Sequence, residues 1–191
     1  PILSNLLINI RQQEMHLTAT DLEMQISLKV NSGVEGELST TISAKKLLDI
    51  CRSLPDSTTI EMNNQDNRIT LKAGKSRFNL QTLPAADYPL MSKASGQNIS
   101  FSLAQSELKR LLKQVEFAMA QQDIRYYLNG LLMEVQGNQL HVVGTDGHRL
   151  SYTNTTLDQE FEKTEVILPR KTVLELTKLL DEQSDSPVVV D

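Results

Sequence analysis

Displaced by 125 positions, the chain lies on itself without a gap: LSNLLINIRQQEMHLTATDLEMQ, from Leu3 to Gln25, falls on LNGLLMEVQGNQLHVVGTDGHRL, from Leu128 to Leu150. Leu3, Leu6, Leu7, His16, Thr20 and Asp21 recur as Leu128, Leu131, Leu132, His141, Thr145 and Asp146, and Ile10, Met15 and Leu17 are answered by Val135, Leu140 and Val142. Further on, ISAKKLLDICRSL (Ile42 to Leu54) meets ILPRKTVLELTKL (Ile167 to Leu179). A shared order of strand pattern, polar turn and helix predicts two copies of one structural unit.

The copies do not begin and end together. Ile99 to Arg125 precedes the second copy and has no counterpart before Pro1, while Asp191 aligns near Gln65 although the first copy runs on to Leu83. Both ends are therefore expected to fall inside a unit of a longer parent. Pro84 to Gly96 (PAADYPLMSKASG) has no periodicity and is rich in Pro, Ala, Ser and Gly, which predicts a linker and two domains, 1–95 and 96–191.

Within the first copy, alternation predicts a hairpin of Leu6–Ile10 and Met15–Thr18 joined through Arg11–Glu14, then strands at Glu23–Val30, Thr59–Met62, Arg68–Lys72 and Arg77–Leu83. Lys45–Leu54 reads as a helix with Leu47, Leu48, Cys51 and Leu54 on its apolar stripe, stopped by Pro55, and this reading puts Cys51 in the core. In the second copy, strands are expected at Ile99–Leu103, Leu128–Val135, Leu140–Gly144, Leu150–Thr153, Glu165–Leu168 and Pro187–Val190. Gln105–Ala120 reads as a helix capped by Ser106, with Leu108, Leu111, Leu112, Val115 and Met119 as its stripe, and Lys171–Leu180 as a second. Strands outnumber helices, with two helices per complete unit: the fold class is α+β.

Apolar runs of only a few residues rule out a membrane-spanning helix, and one cysteine in 191 residues fits a reducing cytoplasm. The net charge of −5 argues against nucleic acid until it is divided along the chain. Ser43–Leu54, Gln105–Ala120 and Pro169–Asp181 carry +2, +1 and +1, which leaves −9 for everything else. Lys45 and Arg52, seven apart, share a helix face, as do Lys109 and Lys113. Positive helices on a negative body suit salt-dependent, sequence-independent contact with phosphates; each taken singly also reads as an ordinary solvated face.

The sequence lacks zinc spacing, a glycine-rich phosphate loop and a nucleophile elbow. His16 and His141 read as strand residues, and Asp21 and Asp146 as turn-capping carboxylates. Two stretches stand out. Gln121–Tyr127 sets two of the four tyrosines beside Arg125 and polar amides, a set suited to phosphate contact or base stacking. Thr145–Leu150 is a tight turn in which Gly147 and His148 replace Leu22 and Glu23 of the first copy, which reads as divergence toward a specific role.

These stretches carry a resemblance. QDIRYYLNG, TDGHRL and LPRK in the second copy, with TDLEM, DICRSLP and SRFNLQTLPAADYP in the first, closely resemble the β subunit of bacterial DNA polymerase III, the sliding-clamp family. The resemblance covers essentially the whole chain and implies tandem repeats of the DNA clamp fold, with antiparallel sheets outside and two helices per unit inside. It implies most of a first and most of a second domain, out of three per chain, in a head-to-tail homodimeric ring that encircles double-stranded DNA. The implied role is that of a processivity factor, a non-catalytic subunit of the DNA polymerase III holoenzyme, with no cofactor or metal. Its partners would be the polymerase catalytic subunit, the clamp loader and other proteins carrying clamp-binding motifs.

Carried over by position, Lys45, Gln122, Tyr126 and Tyr127 match DNA-contact positions of the family. Leu128, Thr145, Gly147, His148, Arg149 and Leu150 match one wall of its partner-peptide pocket, and Lys46, Lys75, Arg77, Phe78 and Leu80 match its ring interface. Read from the residues alone, two other classes stay open. A nuclease or nucleotidyltransferase would need clustered carboxylates for a divalent metal, and a repeat-built adaptor would bind peptides without DNA.

Overall fold

The computed structural model describes residues 2–31, 33, 36–92 and 99–191. It divides into two compact units, residues 1–93 and 94–191. The expected boundary at 95/96 and the last part of the expected linker lie outside the described residues.

Unit 1 is a seven-stranded antiparallel sheet. In chain order its strands are β1 (Asn5–Arg11), β2 (Glu14–Thr20), β3 (Gln25–Asn31), β4 (Leu38–Ser43), β5 (Ile60–Gln65), β6 (Arg68–Ala73) and β7 (Ser76–Leu83). They lie side by side as β3-β2-β1-β4-β7-β6-β5. Alternation sends Ile69, Leu71 and Ala73 of β6 inward, to a core shared with Ile8, Ile10, Ile42 and Leu80. The β1–β2 connection holds Gln12 and Gln13 at φ +50 and +67. Two consecutive positive φ values suit a two-residue hairpin, so this turn forms without the Asn-Gly signal that normally announces it. β4 was not expected. Its Thr40 and Thr41 are buried, and in a sequence this polar (LSTTIS) only pairing with β1 reveals a strand.

The one α-helix among the described residues of unit 1, α1 (Ala44–Ser53), is capped by Ser43, whose hydroxyl accepts from the Lys46 N–H. Its packed side is not the expected one. Leu47 and Ile50 pack on the core, whereas Leu48 is 47% exposed and Cys51 is exposed. The second unit supplies the reason.

Unit 2 comprises β8 (Phe101–Ala104), α2 (Gln105–Val115), β9 (Gly130–Thr145), β10 (Leu150–Pro169), α3 (Arg170–Leu179) and β11 (Pro187–Val190). β9 pairs with β10 and β8 with β11. The ladders of the first unit recur: Glu14 pairs with Asn31 as Gln139 pairs with Thr156, and Thr20 with Gln25 as Thr145 with Leu150. β10 runs through 154–164, where no strand was expected, with register shifts on either side of Phe161. Leu128 belongs to a 3-10 turn (Tyr126–Leu128) ahead of β9.

The stripe Leu108, Leu111, Leu112 and Val115 is buried on Leu131, Leu140 and Val142, as its helical spacing requires. The helix ends at Val115 and continues as a 3-10 turn, Glu116–Ala118. Its N-cap is Ala104, which has no side chain to offer, and not Ser106. Carbonyls do the capping instead: Gln105 N–H donates to Ser186 O and Ser106 N–H to Ser184 O, both at 3.0 Å. In α3, Val173, the repeat mate of Leu48, is fully buried, and Leu176, the mate of Cys51, packs on the core that α2 completes. Among the described residues of unit 1 no second α-helix lies on the corresponding side of α1.

Candidate nucleic-acid and partner interface

The Thr145–Arg149 turn is built from its own side chains. Thr145 Oγ1 donates to Arg149 O at 2.7 Å and accepts from the Gly147 N–H, while Asp146 Oδ1 accepts from the N–H groups of His148 and Arg149. Those two N–H groups, with the Arg149 charge adding to them, hold the Asp146 carboxyl below the usual range. Both aspartates are turn caps, as expected, because the first copy repeats the arrangement bond for bond. Thr20 Oγ1 donates to Met24 O at 2.8 Å and accepts from Leu22 N–H, and Asp21 Oδ1 accepts from Glu23 and Met24. The expected divergence of the second turn is thus confined to its side chains. Leu22 stands at φ +76 where Gly147 stands at φ +86.

The Gln121–Tyr127 segment is clasped at its base. Ala120 N–H donates to Leu128 O at 2.9 Å, and the Asn129 side chain both accepts from Asp123 N–H and donates to Asp123 O. Asp123 in turn accepts from the Arg125 backbone and from its guanidinium, at 3.0 and 2.9 Å. The Arg125 side chain first, then its backbone N–H, bring the Asp123 carboxyl down to about 2. Gln122 adopts φ +56, and the loop so braced projects Ile124, 98% exposed, and Tyr126, 82% exposed, into solvent. Tyr127 meets Tyr126 edge-on at 5.9 Å between centroids.

Turn and segment form one surface. The Arg125 guanidinium lies against Gly147, such that a Cβ there would stand 3.3 Å from both Nη1 and Nη2. Phe117 lies under the Arg149 guanidinium, 5.6 Å from its carbon to the ring centroid, while Arg149 Nε also reaches Asp146. Behind the turn, Gly144 passes the Val115 carbonyl so closely that a Cβ would stand 2.5 Å from its oxygen. Leu128 is buried beneath, and Leu150 is exposed beside Arg149. Phe117 was not among the expected site residues, and Arg125, expected as a phosphate donor, instead forks onto Asp123 and lies against Gly147. Phe117 is off the apolar stripe of its helix, a sequence signal of an outward aromatic, but only packing aims it at Arg149.

The basic side chains of α2 are engaged within the unit. Lys109 donates to Leu180 O at 2.8 Å, Arg110 pairs with Glu107 at 2.7 Å, and Lys113 pairs with Glu182 at 2.9 Å. In unit 1, Lys45 is exposed on α1. Lys46, Arg77 and Leu80 line one concavity of about 1120 Å3, together with Arg68. Leu80 is 6% exposed and a member of the core, Phe78 is half-buried against it, and Lys75 is exposed at the β6–β7 turn. Among the described residues, no group of three or more His, Cys, Asp or Glu side chains could hold a metal ion.

Two α+β units of one repeat, with antiparallel sheets, helices packed on them and a turn that recurs bond for bond, define a clamp-type tandem fold. Residues 1–92 match the family model for the DNA polymerase III beta subunit, N-terminal domain, and residues 102–190 that for its central domain. The chain belongs to the DNA polymerase III beta subunit family. It is 45% identical over 193 residues to the beta sliding clamp of Vibrio cholerae and 42% identical over 191 to that of Escherichia coli K12, covering all of this chain and 52% of each relative. A crystal structure of the Pseudomonas aeruginosa DNA polymerase III subunit beta superposes with a TM-score of 0.94 at 44% identity, over 99% of this chain and 52% of that one. A griselimycin-bound clamp from the same organism gives 0.91 at 44%, over 99% and 51%. The chain spans about half the length of the relatives it matches.

Proposed function

We propose that this chain forms the first two domains, residues 1–95 and 96–191, of a ring-shaped sliding clamp. The ring encircles duplex DNA in the cytoplasm and tethers the replicative polymerase. The observation that carries this reading is the match of both halves, in order, to the N-terminal and central domains of one subunit. Lys45, Gln122, Tyr126 and Tyr127 serve as weak contacts to DNA, and sliding requires that they read no bases. The exposed tyrosines next to a braced arginine fork support that role.

Leu128, Thr145 and Gly147–Leu150 form one wall of a pocket for apolar anchors of partner peptides, presented by the polymerase catalytic subunit, the clamp loader and other clamp-binding proteins. The exposed Leu150 and the Arg149 stem over Phe117 supply its apolar surface. Lys46, Lys75, Arg77 and Phe78, with Leu80 behind them in the core, form one half of a head-to-tail ring interface. The chain contributes no catalysis to the holoenzyme.

The test loads the full-length protein onto a nicked circular duplex with its loader, then linearises the DNA. Retention on the circle and release from the linear form support the ring. Equal retention on both, or none on either, overturns it in favour of a peptide-binding adaptor.

A further inference from the structure

A glycine at positive φ is ordinarily explained by the turn that needs it. Gly147 has a control within the same molecule. Leu22 completes the corresponding turn at φ +76, with corresponding hydrogen bonds and its side chain 57% exposed. The turn therefore accepts a side chain at this position. At Gly147 the space a side chain would take is occupied by the Arg125 guanidinium, 3.3 Å from the site of a Cβ through both terminal nitrogens.

The same guanidinium forks onto Asp123, and Asp123 is held at both backbone atoms by Asn129. Gln122 adjoins Asp123 on one side, and Tyr126 and Tyr127 follow Arg125 on the other. One side chain thus touches the turn and braces the segment.

We propose that Arg125 is a positioning residue shared by the two surfaces, fixing the Gln122–Tyr127 segment against the Thr145–Leu150 turn through its contact with Gly147. Gly147 is glycine to admit that guanidinium, and a change on either surface is felt on the other. The inference rests on the reading above only for what the two surfaces bind.

A double-mutant cycle in the full-length protein tests it: Gly147→Ala, Arg125→Ala and both together. Two readouts are taken, the ring signals of tyrosine-labelled protein by NMR and binding of a primed oligonucleotide template. Gly147→Ala is expected to shift the Tyr126 and Tyr127 signals and to weaken template binding about two- to five-fold, the scale of one exposed charged contact. In the Arg125→Ala background it should add almost nothing to either. Arg125→Lys should behave like Arg125→Ala, because an ammonium keeps the charge and loses the planar fork.

Should Gly147→Ala not fold, the arginine variants read the contact from the other side, through the backbone amide signals of Gly147–Leu150. Additive effects in the cycle overturn the proposal, as do unmoved tyrosine signals in Gly147→Ala or unmoved turn amides in Arg125→Ala. Failure of the wild-type protein to bind template would instead count against the DNA-contact reading, while the NMR signals still decide the role of Arg125.

Discussion

Leu22 and Gly147 lie 125 residues apart and share one backbone conformation, φ +76 and +86. A left-handed conformation costs a leucine about 1–2 kcal/mol, partly offset in a glycine variant by about 0.5–1 kcal/mol of chain entropy. Leu22→Gly is therefore expected to stabilise unit 1 by about 0.5–1 kcal/mol, read as a rise in denaturation midpoint. An unchanged or lower midpoint would mean that the exposed leucine makes contacts worth more than its strain.

Gly144 and Ala19 form a second informative pair, since they are repeat mates. Gly144 has the Val115 carbonyl of α2 against it. Gly144→Ala should cost unit 2 about 1–3 kcal/mol, the usual range for overpacking, and chemical denaturation would measure it. A cost below that range would show that α2 can retreat freely.

Cys51 is exposed. In the folded 191-residue chain it should react with an aromatic disulfide reagent at the rate of an unhindered thiol, without waiting for unfolding. Protection that disappears only in denaturant would put the thiol in a core after all.

Asp123 titrates at about 2 in the folded protein, held down chiefly by Arg125. A carboxyl whose folded value is depressed stabilises the fold fully above its unfolded value, roughly 3.9. That contribution drains away as pH falls through the folded value. The clasp of Gln121–Tyr127 should therefore persist to about pH 3, well below the point at which ordinary aspartates protonate. Carbon-detected NMR titration of the side-chain carboxyl checks this, and Asp123→Asn should remove the acid dependence. A midpoint near the ordinary value would exclude the fork as a solution contact.

Much of the fold was legible because its signals are local. Helical spacing of Leu108, Leu111, Leu112 and Val115 announces α2, and strict alternation announces β6. β4 was illegible because LSTTIS has no apolar alternation beyond Leu38 and Ile42. Ser106 misled because the helix begins before it: the N-cap position is Ala104, and carbonyls from Ser184 and Ser186 meet the helix N-terminus instead. The candidate site was half legible. Its two stretches stood out by composition, but Arg125 and Phe117 acquire their roles only from what lies opposite.

The sequence by itself determined that this protein is a duplicated α+β unit, and where each copy turns. Repeated order, periodicity and the Thr-Asp turn depend on residues that are neighbours in the chain. The tertiary structure alone decided which side of α1 is covered, that the second turn is the first one rebuilt around a glycine, and that this glycine lies against Arg125. Such facts depend on which groups from distant positions compete for the same space, and a period or a propensity contains no information about an opposing surface.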